Sequence, residues 1–466
     1  MTKTVLIMLD SDYLDEDFEA ILAIAPPDGG DASAAYEPSP DTAKTITTPQ
    51  SDGLRFAHRR RVLAALAESI LEKKGSLPLS AMTAPLTKGE IEETAFGDDA
   101  DLSVDEEERV SLLSGIGAII IRGEDLDIDE INQREGVSAI PDTFIPMVDS
   151  FEIQTDKERL SDHWHLEQIG LRSGQSGGKG TVIGILDTGI DRSHPEFSGK
   201  RVYFQEFDKD GRPVNRQARD ASGHGTHVCS IAAGATYGVA PNAALAVAAV
   251  MTTRDSKGRL GGKAPQIAAG IDWLVKKQFR SNRRGVDIIN VSIGLEGYDN
   301  SLISMIRAGR KHGIPTVAAI GNNGRKGQHN HTSPGNYAKT LGVGASDIDD
   351  MVADFSDWGK GPYPEGPRYP VPNISAPGVH VKAAIPGRAY ARFSGTSQAA
   401  PIVTGVAARW MAANPAFRRN PEALFGQMKR SLDQVRENSI RRNQGGLGRI
   451  RAVPPPTAGN MNRGNA

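Results

Sequence analysis

The strongest constraint in this 466-residue sequence is a set of short, almost uninterrupted apolar runs separated by helical stretches. TVIGILDTG (Thr181–Gly189), ALAVAAVM (Ala244–Met251), VDIINVSIG (Val286–Gly294), TVAAIGN (Thr316–Asn322) and LGVGAS (Leu341–Ser346) are too short for buried helices. Helical periodicity returns between them, at Pro265–Phe279 and Leu302–His312. Strands apolar on both faces that alternate with helices predict a mostly parallel sheet covered by helices on both sides. In such sheets, chemistry collects at the carboxyl ends of the strands.

The first 150 residues read differently. A strand-like run at Thr4–Leu9 precedes a Pro-, Ala-, Ser- and Asp-rich stretch, 23–57, expected to be a disordered insertion. Arg59–Lys73 carries Val62, Leu63, Leu66, Ile70 and Leu71 at helical spacing, and GAIIIRG (Gly117–Gly123) is a buried strand. A short helix at Glu124–Arg134 and an extended, Pro-containing segment at Ser138–Val148 complete a small α+β unit. The expected organisation is therefore 1–150 as an α+β region, 151–163 as a linker, 164–450 as the α/β domain and 451–466 as a disordered tail.

A formal net charge of −3 argues against a dedicated nucleic-acid binder. His58-Arg59-Arg60-Arg61 and Arg441-Arg442 read as solvated surface clusters. The single cysteine, Cys229, permits no intrachain disulfide and suits a reducing compartment. The apolar run Val5–Leu9 is too short for a secretory signal, and no stretch reaches the roughly 18 apolar residues of a membrane span. The expectation is a cytoplasmic protein, with leaderless export as the alternative.

Three segments carry chemistry. In ILDTGIDRSHPEF, Asp187 ends a buried strand; in SGHGTHV, His224 stands between glycines before a helical run; in FSGTSQAAP, Ser397 opens a helix. A serine hydroxyl becomes nucleophilic only beside a base, and an imidazole base needs a carboxylate to fix its tautomer. A serine at a helix N-terminus also has a free backbone N–H and a dipole that favours an anion.

In that chain order the three segments resemble the signatures of the subtilisin-like serine peptidases (subtilases), and the resemblance runs from about 164 to 450. It implies Asp187, His224 and Ser397 as a catalytic triad and a serine endopeptidase acting through an acyl-enzyme. AAIGNNG places Asn322 at the family's oxyanion-hole amide. Leu260-Gly261-Gly262 and Ser292-Ile293-Gly294 are similar to the two edges between which a substrate strand pairs. By the same resemblance the S1 pocket, which receives the P1 side chain preceding the scissile bond, lies between Ser292–Gly294 and Ala319–Gly321. Its floor falls at Thr332 or a neighbour. No acid stands out to select a basic P1 residue, so an apolar preference is expected.

The family's small α+β prodomain implies that residues 1–150 contact the cleft and hold the enzyme in check as a zymogen, with self-cleavage between about Pro146 and Arg159. The partners implied are protein or peptide substrates. No cofactor or metal is required. AAGATYGVAPNA is shorter than the calcium loop of some relatives and Glu196 has few partners for such an ion, although a weaker calcium site elsewhere is left open. Two other readings fit the same segments: a silent peptide-binding module, and a peptide ligase or cyclase using the same acyl-enzyme.

Overall fold

The computed structural model describes residues 3–9, 48–71, 109–134, 136–147, 150, 160–281, 283–361, 369–435 and 445–452. The chain divides into two compact units. The first comprises residues 1–143 with 207–213 and 263–285, and the second comprises the remainder.

In the first unit, four antiparallel strands lie in the order Val110–Leu113, Ala118–Gly123, Lys3–Leu9, Val137–Pro141. Leu6 faces Ile120 across one pair and Ile140 across the other. Strand alternation sends Val5, Ile7 and Leu9 to one face. There they join Ile119, Ile121 and the helix residues Leu63, Leu66 and Ile70 in a buried cluster. The helix spans Thr48–Leu71 and starts ten residues inside the segment read as a disordered insertion. Pro49 falls in its first turn, where a residue without an N–H is well suited. The rest of that insertion, 23–47, lies outside the described residues, as do 151–159 of the expected linker and 453–466 of the tail. The strand Val110–Leu113, absent from the sequence reading, is four residues long and too short to show a period. The turn after it is held by the buried Asp272, whose carboxylate accepts the Gly115 and Ile116 N–H groups at 2.7 and 3.3 Å.

The second unit is built on a ten-stranded sheet. Its core runs Ile374–Pro377, Leu341–Ser346, Thr316–Ala319, Ile288–Val291, Val182–Asp187, Ala244–Ala249, Val202–Phe207, every neighbour parallel. Every residue of Val182–Asp187 and of Leu341–Ser346 is buried, as continuous apolar runs require of a sheet covered on both faces. Two helices, His224–Ala233 and Thr396–Ala413, pack together within the main core, with Val228, Ile231, Val403 and Val406 fully buried. The catalytic candidates stand where these elements begin or end.

Candidate active site

Asp187 is the last residue of its strand and has no solvent exposure. His224 is the first residue of its helix. Nδ1 of His224 donates to Oδ1 of Asp187 at 2.8 Å, and the Thr188 N–H donates to the same oxygen at 2.7 Å. A proton committed to Nδ1 leaves Nε2 as the basic nitrogen. Two glycines allow this approach. A Cβ on Gly225 would stand 2.2 Å from the Gly189 carbonyl oxygen, so the strand exit and the helix can touch only without side chains.

Asp220, which the sequence reading passed over, sets the pose of that helix. Its Oδ1 accepts from the N–H groups of Ser222 and Gly223 and from Thr188 Oγ1, at 3.1, 2.9 and 2.6 Å. Its Oδ2 accepts from the N–H and hydroxyl of Thr226 at 2.7 and 2.5 Å. A carboxylate at a helix start satisfies orphan N–H groups and complements the dipole. The signal was an Asp four residues ahead of His224 in a turn-forming run. Asp220→Ala should lower stability by about 1–3 kcal/mol and loosen His224. Thermal unfolding together with kcat/KM checks this, and an unchanged kcat/KM would remove Asp220 from the positioning of the site.

Ser397 is the second residue of the helix Thr396–Ala413 and is fully buried. Its Oγ donates to the Ser292 carbonyl at 3.4 Å, a long contact. Pro401 lies four residues along the helix and has no N–H to give the Ser397 carbonyl. The Ser292 hydroxyl donates to that carbonyl instead, at 3.3 Å. Asn322 presents Oδ1 to the N–H and Oγ1 of Thr396, at 2.9 and 3.0 Å. With its oxygen held by two donors, the amide has one orientation, in which Nδ2 is its donor end. Thr396 Oγ1 in turn accepts the Gly321 N–H at 3.1 Å, so this threonine ties the serine helix to the Asn322 segment.

The two proposed edges are joined by a piece of the chain itself. Phe144–Pro146 pairs with Leu260–Lys263, the Met147 N–H donates to the Leu260 carbonyl at 3.1 Å, and Met147 forms an antiparallel bridge to Ile293. Segment 144–147 thus lies as a strand between Leu260–Gly262 and Ile293.

Thr332 links the two segments expected to wall the S1 pocket. Its N–H donates to the Ile320 carbonyl at 2.7 Å, and Thr332–Ser333 pairs with Leu295–Glu296, which continue the Ser292–Gly294 segment. Ala319 ends its strand fully buried. Beside Thr332 lies an acid, Asp357, that the sequence does not single out. A Cβ on Gly321, whose φ is 112°, would stand 2.0 Å from Oδ2 of Asp357 and 2.2 Å from Oγ1 of Thr332. Burial pushes the Asp357 carboxyl up to about 8.

Behind the site, Cys229 is fully buried on the His224 helix and burial pushes its thiol well up, the state of an inert thiol. Gln398 is also fully buried. Glu196 does not face an open loop: its carboxylate accepts the Thr236 and Tyr237 N–H groups at 3.0 and 3.1 Å. Among the described residues no group of three or more His, Cys, Asp and Glu side chains is arranged to hold a metal.

His165 and His227 are fully buried, and burial lowers them to about 4 and about 3. Each stays neutral when folded but protonates near pH 6.5 when unfolded. Their contribution is complete above about pH 6.5 and is lost as pH falls toward 4 and 3. The Tm should therefore fall steeply below pH 6, and His227→Asn should flatten that slope. An equally steep Tm–pH curve in the variant would contradict the assignment.

The parallel sheet, its two central helices and the Asp–His–Ser arrangement at their ends define an α/β protein of the subtilisin-like class. The chain belongs to the subtilase family: the family signature (Peptidase_S8) matches residues 178–446. It is 32% identical over 284 residues to "Subtilisin-like protease 3" of Pseudogymnoascus destructans, covering 58% of this chain and 65% of that one. It is 35% identical over 262 residues to "Subtilisin-like protease PopC" of Myxococcus xanthus, covering 51% and 53%. The chain thus spans between about half and two thirds of the length of these two relatives. Among solved structures, a cold-adapted subtilisin-like serine proteinase superposes with a TM-score of 0.50 at 25% identity, over 63% of this chain and 98% of that one.

Proposed function

We propose that this protein is a serine endopeptidase with Ser397 as nucleophile, His224 as general base and acid, and Asp187 as the orienting carboxylate. The observation that carries this reading is the buried Asp187–His224 hydrogen bond of 2.8 Å in the same unit as a serine at a helix N-terminus. His224 Nε2 takes the Ser397 Oγ proton as Oγ attacks the peptide carbonyl. The carbonyl oxygen becomes an oxyanion, received by the Ser397 N–H and Asn322 Nδ2. Collapse expels the amine, which takes the proton from His224, and water then hydrolyses the ester by the same route. Asp187 holds the imidazole in place and stabilises the imidazolium that forms. None of these steps calls for a metal or cofactor.

The N-terminal region is read as an inhibitory prodomain. Support comes from the 144–147 strand, which occupies the place expected of a substrate between Leu260–Gly262 and Ile293. Expression of the wild type beside Ser397→Ala, followed by intact mass and casein cleavage, tests both readings. Clipping between about 146 and 159 followed by casein digestion, in the wild type alone, supports them. A full-length wild type that digests casein removes the inhibitory reading. Cleavage by neither protein removes the peptidase.

A further inference from the structure

Asp357 is a buried carboxylate that the reaction does not use. Its Oδ1 accepts the Asn323 N–H at 2.5 Å, and among the described residues Oδ2 has one weak hydrogen bond, from the Thr332 hydroxyl at 3.5 Å. Its own N–H donates to the Gly321 carbonyl at 3.0 Å, so the residue is fixed to the pocket wall through its backbone. Oδ2 lies against Gly321 and Thr332, the residues expected at the wall and floor of the S1 pocket.

Among the described residues no cation is paired with it. The charges nearest in effect are Glu296, which opposes its ionisation, and Lys326, which favours it. These two pair with each other at 3.2 Å, and both are more than half exposed. An unpaired buried carboxylate is costly, and its cost falls sharply when a cation is brought to it. Asn323 and Thr332 already orient this one, so an arriving ammonium or guanidinium would complete the set with a charge-assisted hydrogen bond.

We propose that Asp357 determines the specificity of the cleft by receiving a lysine or arginine side chain at P1. This rests on the peptidase reading above. It replaces the apolar preference drawn from sequence.

The test is hydrolysis by the full chain of peptides that differ only at P1, as Arg, Lys, Leu or Phe. Labelling of Ser397 by a fluorophosphonate is followed in parallel. The expected result is kcat/KM at least tenfold higher for Arg or Lys than for Leu. Asp357→Asn should lower the Arg and Lys values about 100-fold and leave Leu within about threefold, on the scale of a buried ion pair. Benzamidine, an aromatic cation, should compete with substrate in the wild type, which gives a readout that does not depend on the variant folding. A wild type that labels and prefers Leu or Phe, or is indifferent to benzamidine, overturns the Asp357 proposal and leaves the peptidase standing. Absence of both labelling and hydrolysis overturns the two together.

Discussion

Asp187→Asn is expected to lower kcat by about 10⁴ with little change in KM. The reason is tautomeric. Asp187 Oδ1 accepts from His224 Nδ1 at 2.8 Å inside a site with no solvent at the carboxylate. An asparagine amide can turn its NH₂ toward Nδ1, and the ring then carries its proton on Nε2, where the base is needed. Binding of substrate depends on the cleft edges and not on that proton, so KM is spared. Steady-state kinetics with one peptide substrate, together with the rate of fluorophosphonate labelling, separates these parameters. A kcat within tenfold of wild type would mean that Asp187 is a structural acid only.

Asn322→Ala should cost about 10² to 10³ in kcat, the scale of the corresponding amide in subtilisin, again with KM nearly constant. A donor that meets the oxyanion more strongly than the ground-state carbonyl acts on the transition state alone. Thr396→Val is the informative companion. It removes the hydroxyl that holds Asn322 Oδ1 at 3.0 Å and receives the Gly321 N–H, while the Thr396 backbone bond to the amide survives. A loss of about tenfold in kcat, smaller than that of Asn322→Ala, is expected from partial misorientation. Equal losses would mean that Thr396 does more than orient the amide.

Much of this architecture was visible in the residues because both periods were strong. The apolar runs around Ile183–Leu186 and Leu341–Val343 could be buried only as central strands. Glycines beside Asp187, His224 and Ser397 marked places where backbone must pass close to backbone. The misses share a cause. Asp220 acts through five hydrogen bonds that exist only once the His224 helix has folded against the strand exit. Asp357 lies 36 residues beyond Gly321 in a run, FSDWG, that reads as an ordinary turn. Its meeting with Gly321 and Thr332 is a product of tertiary folding, and no local pattern announces it. The helix from Thr48 was hidden for the opposite reason, since its Pro, Ser, Asp and Gly residues have loop-like propensities.

The buried position of Cys229 has a practical side. The chain carries one thiol, buried on the inner side of the His224 helix, so the surface offers no thiol to a maleimide. A cysteine introduced at an exposed site such as Leu447 would be the sole address for a dye on the native protein. Fluorescence from that address could then follow unfolding or complex formation in a molecule otherwise unaltered.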